Sequence, residues 1–294
     1  MSGTRKKTTK TGPQSTPGPG TLFVVATPIG NLEDITLRAL RILKEVDLIA
    51  AEDTRHTRKL LSHFSISTPT LSYYKEKEQE RSAVIISRIL AGQNVALVSD
   101  AGTPGISDPG SILVQRAVAA NIKVEPIPGP SSLTAALSVA GMEDNLFIFL
   151  GFAPSRKKQR QDLLHSLERE KRHLVFFEAP HRLHAFLLDC YDILGERPIF
   201  WCRELTKLHE ELSRGSLKDV LAQCKDKKIK GESVLIISGA AEEPEIPEAK
   251  IADILRAHKK SGQKSLKDAV REVAAEYRLS RSEVYSKALK IWKE

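Results

Sequence analysis

Blocks of apolar and polar residues change period repeatedly from residue 21 onward. Residues 21–26 are a short apolar run ended by Pro28 and Gly30, the pattern of a buried strand. Residues 37–46 follow with helical spacing, then a strand-like stretch at 47–51. A helical stretch at 57–64 sets Leu60, Leu61 and Phe64 on one face. A polar helix over 75–91, a strand at 95–99, a helix at 111–120, a strand at 124–127 and a helix at 131–140 continue the series. Such alternation predicts an α/β domain built on a largely parallel sheet.

The pattern breaks at residues 141–145 and then resumes. Strands are predicted at 146–149, 174–177, 199–202, 210–214 and 234–237, with helices at 155–172, 182–194 and 217–224. This is a second α/β unit. Pro244 and Pro247, set among glutamates, read as a linker to three helical stretches at 249–260, 265–277 and 280–293. Ser265 and Ser280 are N-cap candidates, and Glu283 stands three residues after Ser280 as a capping box requires. Ala274, Leu279, Val284 and Leu289 are candidates for the core of that small module. The expected organisation is a disordered tail over 1–20, α/β domains at 21–143 and 144–243, and a basic helical appendage at 244–294.

Charge distribution adds a partner question. The 294 residues carry 45 Lys+Arg against 37 Asp+Glu, with 41% hydrophobic residues and 5% aromatics. Residues 1–20 hold Arg5, Lys6, Lys7 and Lys10 with no acid, and residues 250–294 hold 12 basic against 6 acidic residues. Basic flanks on a near-neutral body suit a polyanion, because Lys and Arg that neutralise phosphates release counterions. They read equally as solvated surface charge. The longest apolar run, at 146–153, is far short of a membrane span, and the basic start has no apolar signal core. Cys190, Cys202 and Cys224 form no C-x-x-C pair, which predicts a soluble, cytoplasmic protein in a reducing compartment. Motifs for dinucleotide binding, a P-loop, a zinc-protease helix and a serine-hydrolase elbow are absent from the sequence. His181 and His184 stand at i, i+3 without a third ligand, so no metal is expected.

Four strand-ending loops hold the candidate chemistry. They run over 27–34, 52–57, 99–110 and 126–132, and all but the second are rich in Gly and Pro. Each alone reads equally as a plain turn. Together, at the carboxyl ends of parallel strands, they form the place where open α/β sheets bind ligands.

At these loops the chain resembles the ribosomal RNA small subunit methyltransferase I family. The residues that carry the resemblance are Thr27-Pro-Ile-Gly-Asn-Leu32, Ala51-Glu-Asp-Thr-Arg-His56, Asp100-Ala-Gly-Thr-Pro104 with Ser107-Asp-Pro-Gly110, and Pro128-Gly-Pro130. The similarity continues through Gly151-Phe152, Phe177-Glu-Ala-Pro-His-Arg-Leu183, Arg203-Glu-Leu-Thr-Lys207 and Gly231-Glu232, and so covers about residues 21–240. Ser131-Ser132, Ala179-Pro180 and the long basic start depart mildly from the family pattern.

The resemblance implies a two-domain tetrapyrrole-methylase-like fold, with S-adenosyl-L-methionine folded in a cleft between the domains. It implies methyl transfer to the 2′-oxygen of a cytidine ribose in the decoding region of 16S rRNA within the 30S subunit, by a homodimer. Pro28, Ile29, Gly30, Asp100, Ala101, Gly102, Thr103, Ser131, Ser132, Phe177, Gly231 and Glu232 are the expected cofactor-binding residues. Glu52, Asp53 and Arg55 are the candidate catalytic group, since a ribose hydroxyl needs help to lose its proton. Arg55, Arg156, Lys157, Lys158, Arg160, Arg182, Arg203 and Lys207 are the candidate RNA contacts, as guanidinium forks suit phosphate oxygens. Structural ion pairing, such as Arg203 with Glu178, is the competing reading for several of these. Two other functions fit the same residues: methylation of a small anionic macrocycle, and a non-catalytic RNA-binding assembly factor.

Overall fold

The computed structural model describes residues 18–225, 229–241, 248–262, 264–277 and 280–293. The expected tail through residue 17, the linker prolines Pro244 and Pro247, and Leu279 lie outside the described residues. The first sheet and its helices run β1 (Thr21–Val25), α1 (Leu37–Glu45), β2 (Leu48–Ala51), α2 (Thr54–His63), β3 (Thr70–Ser72), α3 (Glu78–Leu90), β4 (Val95–Val98), α4 (Ser111–Ala119), β5 (Lys123–Ile127) and α5 (Ser132–Ala140). All its strands are parallel, in the order β3-β2-β4-β1-β5.

The inner strands β2 and β4 are buried at every position, which is why their sequences are continuous apolar runs rather than alternating ones. Their side chains still divide by parity. Ile49, Ala51, Ala96 and Val98 pack with α1 and α2 residues such as Leu43 and Leu61. Leu48, Ala50, Val95 and Leu97 pack with Ile85, Ile89 and Leu113 on the other face. Parallel pairing forces every β-to-α loop to the same edge, and the site is built there.

The second sheet follows as β6 (Phe147–Phe152), α6 (Lys157–Ser166), β7 (His173–Glu178), α7 (Pro180–Leu194), β8 (Pro198–Arg203), β9 (Glu211–Ser216), α8 (Leu217–Lys225) and β10 (Ser233–Ile237). Its order is β6-β7-β10-β8-β9, and only the β6–β7 pair is parallel. One face packs on α6, α7 and α8 through Leu164, Phe186 and Val220. The opposite face, with Val175, Phe200, Val234 and Ile236, takes Ala136 and Ala140 of α5 together with Ile29. Helix α5 thereby fastens the first sheet to the second.

Among the described residues, those up to Ala240 form one compact unit and those from Ala241 another. The second contains α9 (Glu248–Ser261), α10 (Leu266–Glu276) and α11 (Arg281–Lys293) around Ile251, Leu255, Val273, Val284 and Ile291. Ser265 caps α10, its hydroxyl accepting the Asp268 N–H at 3.2 Å. Ser280 accepts the Val284 N–H with its carbonyl, while its hydroxyl meets Ser282 Oγ at 2.6 Å. Val284 and Ala274 belong to the core as expected, whereas Leu289 is partly exposed. No helix among the described residues is long and apolar enough to cross a membrane.

Candidate active site

Two reciprocal hydrogen-bond exchanges knit the loops of the parallel edge together. Thr27 N–H donates to Gly102 O and Gly102 N–H returns a bond to Thr27 O, both at 2.9 Å, so the loops after β1 and β4 are bridged. Asp53 N–H donates to Asp100 Oδ1 at 3.0 Å while Asp100 N–H donates to Glu52 Oε2 at 3.3 Å, which joins the β2 and β4 loops. Thr103 Oγ1 donates to Pro130 O at 3.4 Å and reaches the loop after β5. Gly102 holds φ +77°, and a Cβ there would sit 3.4 Å from Ile29 Cγ2. A side chain at 102 is therefore strained by the backbone conformation, with its Cβ in contact with Ile29.

These loops form one wall of a cavity of about 400 Å³, within the range of small-molecule sites. The second sheet supplies the other wall through Phe152, Phe177, Cys202, Ser233 and Val234 at its strand ends and through the turns at 204–207 and 231–232. The 204–207 turn is backbone-strained, with Glu204 at φ +51° and Thr206 at φ +67°. It presses on the β1 loop closely enough that a Cβ on Gly30 would come within 2.4 Å of Lys207 Cγ and 2.9 Å of Leu205 O.

The lining is acidic. Glu52, Asp100, Asp108, Glu204 and Glu232 face one cavity, and Lys207 is its single cation among the described residues. Lys207 Nζ is engaged by Glu204 Oε1 at 2.8 Å. Burial, reinforced by the charges of Asp108, Asp100 and Glu232, pushes the Glu52 carboxyl up to about 7, against the opposing Asp100 N–H. Burial and Glu232 likewise raise Asp108. An acid that titrates near neutrality in a cleft is suited to move protons.

Ile29, Asp100, Ala101, Gly102, Thr103, Ser131, Ser132, Phe177, Gly231 and Glu232 all line the cavity. Ser131 stands at the N-cap position of α5, yet its hydroxyl makes no capping bond. Pro28 and Gly30 are not in the lining; Gly30 instead gives the 204–207 turn room to close. Glu52 is in the lining, but Asp53 and Arg55 are not. Asp53 caps α2, its Oδ1 accepting Arg55 N–H at 2.8 Å, and the exposed Arg55 guanidinium pairs with it at 3.1 Å. Those bonds hold the Asp53 carboxyl at about 2, and of the three expected catalytic residues only Glu52 faces the cavity.

The expected RNA contacts divide as sharply. Arg156, Lys157 and Lys158 are exposed. Arg160 is buried, its Nε donating to buried Asp189 Oδ2 at 2.7 Å, and Gln161 Nε2 takes the other oxygen at 2.9 Å. It is therefore not a phosphate contact. The anticipated Arg203–Glu178 pair does not form: Arg203 Nε donates to Glu211 Oε2 at 2.7 Å, and Glu178 pairs with Arg182 at 3.2 Å. Arg182 also donates to Ala153 O. Cys202, Ser107 and Asp108 also line the cavity without being expected site residues, although the last two lie inside a motif that carries the resemblance. No group of His, Cys, Asp and Glu among the described residues is arranged to hold a metal ion.

With this geometry in hand, similarity to known proteins becomes informative. The family described as Tetrapyrrole (Corrin/Porphyrin) Methylases matches residues 21–221. The solved methyltransferase CobJ is 18% identical with TM-score 0.58, covering 78% of this chain and 98% of its own. Uroporphyrin-III-C-methyltransferase from Thermus thermophilus is 20% identical with TM-score 0.53, covering 74% and 94%. Fold and site thus define a tetrapyrrole-methylase-type methyltransferase, a class whose methyl donor is S-adenosyl-L-methionine.

Much closer in sequence are proteins named Ribosomal RNA small subunit methyltransferase I. That of Synechocystis sp. is 47% identical over 275 residues, 92% of this chain and 98% of that protein. That of Thermotoga maritima is 48% identical over 220 residues, 75% of this chain and 99% of its own. The chain belongs to the ribosomal RNA small subunit methyltransferase I family. The residues present fit the donor, because its sulfonium and ammonium cations suit a lining of carboxylates and Phe177 offers an apolar ring face.

Proposed function

We propose that this protein transfers a methyl group from S-adenosyl-L-methionine to small-subunit ribosomal RNA, at the 2′-oxygen of a cytidine ribose in the decoding region. The observation that carries the reading is the acid-lined cavity at the parallel strand ends; the relatives' name supplies the acceptor. When bound, the donor supplies a methyl group already activated by sulfonium. Ile29, the 100–103 loop, Ser131, Ser132, Phe177 and the 231–232 turn hold it, and the positive end of the α5 dipole suits its carboxylate. Glu52 accepts the ribose proton. Most of the remaining acceleration comes from fixing the acceptor oxygen in line, which the closed 204–207 turn assists by excluding water.

The acidic lining also bears on what the acceptor presents. A phosphate inside this cavity faces five carboxylates, so the nucleotide enters by its neutral ribose while its phosphates stay outside. Exposed Arg156, Lys157, Lys158 and Arg55 are available to grip them. The target base leaves its stack to bring the ribose to the cavity mouth. A small anionic macrocycle has no such division and is repelled by the same lining. A homodimer acting in the cytoplasm on 16S rRNA within the 30S subunit completes the proposal.

The experiment is methyl transfer from a labelled donor to purified 30S subunits and to naked 16S rRNA, followed by mapping of the modified nucleotide. One 2′-O-methylated cytidine is the expected product. Label on a base, or in a tetrapyrrole and not in RNA, overturns the reading. Donor binding without turnover on either RNA substrate points to the non-catalytic factor.

A further inference from the structure

Glu52 is the only cavity carboxylate whose oxygen takes the Asp100 N–H, and Asp100 in turn takes the Asp53 N–H. The exchange fixes Glu52 against the β4 loop, facing Asp108 and Asp100 from that loop and Glu232 from the turn before β10. Across the cavity stand Glu204 and Lys207, already paired with each other. No free cation in the described lining balances Glu52, Asp100, Asp108 and Glu232. Like charges confined in a half-buried cavity disfavour one another's ionised forms, and burial together with these neighbours raises Glu52.

We propose that the cavity carboxylates keep a proton centred on Glu52 while the site is free of donor, and that entry of the cationic methyl donor expels it to solvent. The inference rests on the methyl-donor reading above and concerns its regulation. A positive sulfonium among the carboxylates replaces the proton as their counter-charge, so Glu52 is fully ionised at neutral pH only when a methyl group is present to be transferred. The base is thereby armed by the donor itself. The demethylated product S-adenosyl-L-homocysteine has a neutral thioether at that place and does not displace the proton. After transfer, Glu52 holds the proton taken from the ribose hydroxyl and the sulfur is neutral. The site returns to its donor-free charge without exchanging a proton with solvent. The next donor molecule releases that proton, so one proton leaves per methyl group transferred.

The balance also sets donor affinity. Binding that requires ionised Glu52 weakens below neutrality, because the proton must be removed first. Burial and the neighbouring acids hold Glu52 at about 7. Affinity is then expected to fall about fivefold from pH 7 to pH 6, the ratio of ionised fractions for such a group.

The test is calorimetry of the full-length protein with S-adenosyl-L-methionine and with S-adenosyl-L-homocysteine at pH 7, each in two buffers of different ionisation enthalpy. The wild type should release about half a proton on binding the methionine ligand and show no comparable release with the homocysteine ligand. Glu52→Gln keeps the shape of the side chain and removes its titration, so it should bind the donor with that release abolished. Equal release with both ligands overturns the inference, as does an unchanged release in Glu52→Gln. A buffer-independent enthalpy for a donor that does bind overturns it while leaving the methyl-donor reading intact. Failure of the wild type to bind the donor at all removes both.

Discussion

The acid cavity and the basic start of α6 carry opposite charge, and each solves its electrostatic problem differently. In the cavity, Glu52, Asp100, Asp108 and Glu232 converge without a free cation among the described residues, and burial raises Glu52 to about 7. At α6, Arg156, Lys157 and Lys158 spread into solvent, where charge is screened cheaply, and only Arg160 turns inward to a dedicated partner in Asp189. The lesson is that charge becomes functional through confinement. Four acids held in one cavity make a proton store and a cation site, while three exposed cations make only a soft, salt-sensitive surface.

The largest effect expected from separating the two regions is on turnover. Glu52→Gln should lower methyl transfer by about 10²–10⁴-fold, the usual worth of a general base, with thermal unfolding still cooperative. Activity within a few-fold of wild type would remove Glu52 from the chemistry. Next comes Arg160→Ala, which strands Asp189 in the core and should cost about 3 kcal/mol in urea unfolding. The joint replacement of Arg156, Lys157 and Lys158 by Ala should change stability by no more than about 0.5 kcal/mol. If Arg160→Ala is equally mild, the distinction between inward and outward cations fails.

The same triple variant should reduce the salt slope of rRNA binding by about 2, taking roughly 0.7 per phosphate contact on irregular RNA. Donor affinity should be unchanged. Coincident slopes for variant and wild type would make the α6 cations plain surface charge. A further effect concerns pH. Because the Glu52 pKa is raised in the folded protein, the native state holds its proton more tightly than the unfolded chain. Its contribution to stability is fully present below about pH 4.5 and is lost as pH rises to about 7. Melting curves of donor-free Glu52→Gln should lack that loss, so the variant gains on wild type as pH increases through this window. A constant difference across pH would contradict it.

Most of the scaffold is legible because confinement leaves a mark in sequence. Strands β2 and β4 are continuous apolar runs since both their faces are covered. Strand β3, Thr70–Ser72, escapes because three partly buried residues after Pro69 carry no period to detect. Helix α2 starts at Thr54, three residues before the start predicted from its apolar stripe, because Asp53 caps it; the carboxylate that looks catalytic in sequence is the capping group. Helix α6 ends at Ser166 rather than running through the basic stretch beyond it, since Leu167 caps the helix and a turn at 168–170 leads into β7.

At the site, Gly102 and Ser131 lie in loops legible at strand ends, whereas Gly231, in the turn before β10, is marked only by the family resemblance. The inward turn of Arg160 could not be read, since it depends on Asp189 from α7, twenty-nine residues away. The positive φ that shapes the turn at Glu204 is equally hidden, since no side chain but glycine advertises it. The acidity of the cavity is likewise a property of three dimensions, assembled from separate loops whose acids look unremarkable one at a time.

A crystal structure of the protein with S-adenosyl-L-methionine bound tests the central claim most directly. The account predicts ligand density inside the cavity bounded by Ile29, the 100–103 loop, Phe177 and the 231–232 turn, with the sulfonium facing Glu52 and its neighbouring carboxylates. Density elsewhere, or a sulfonium turned away from those acids, would contradict it.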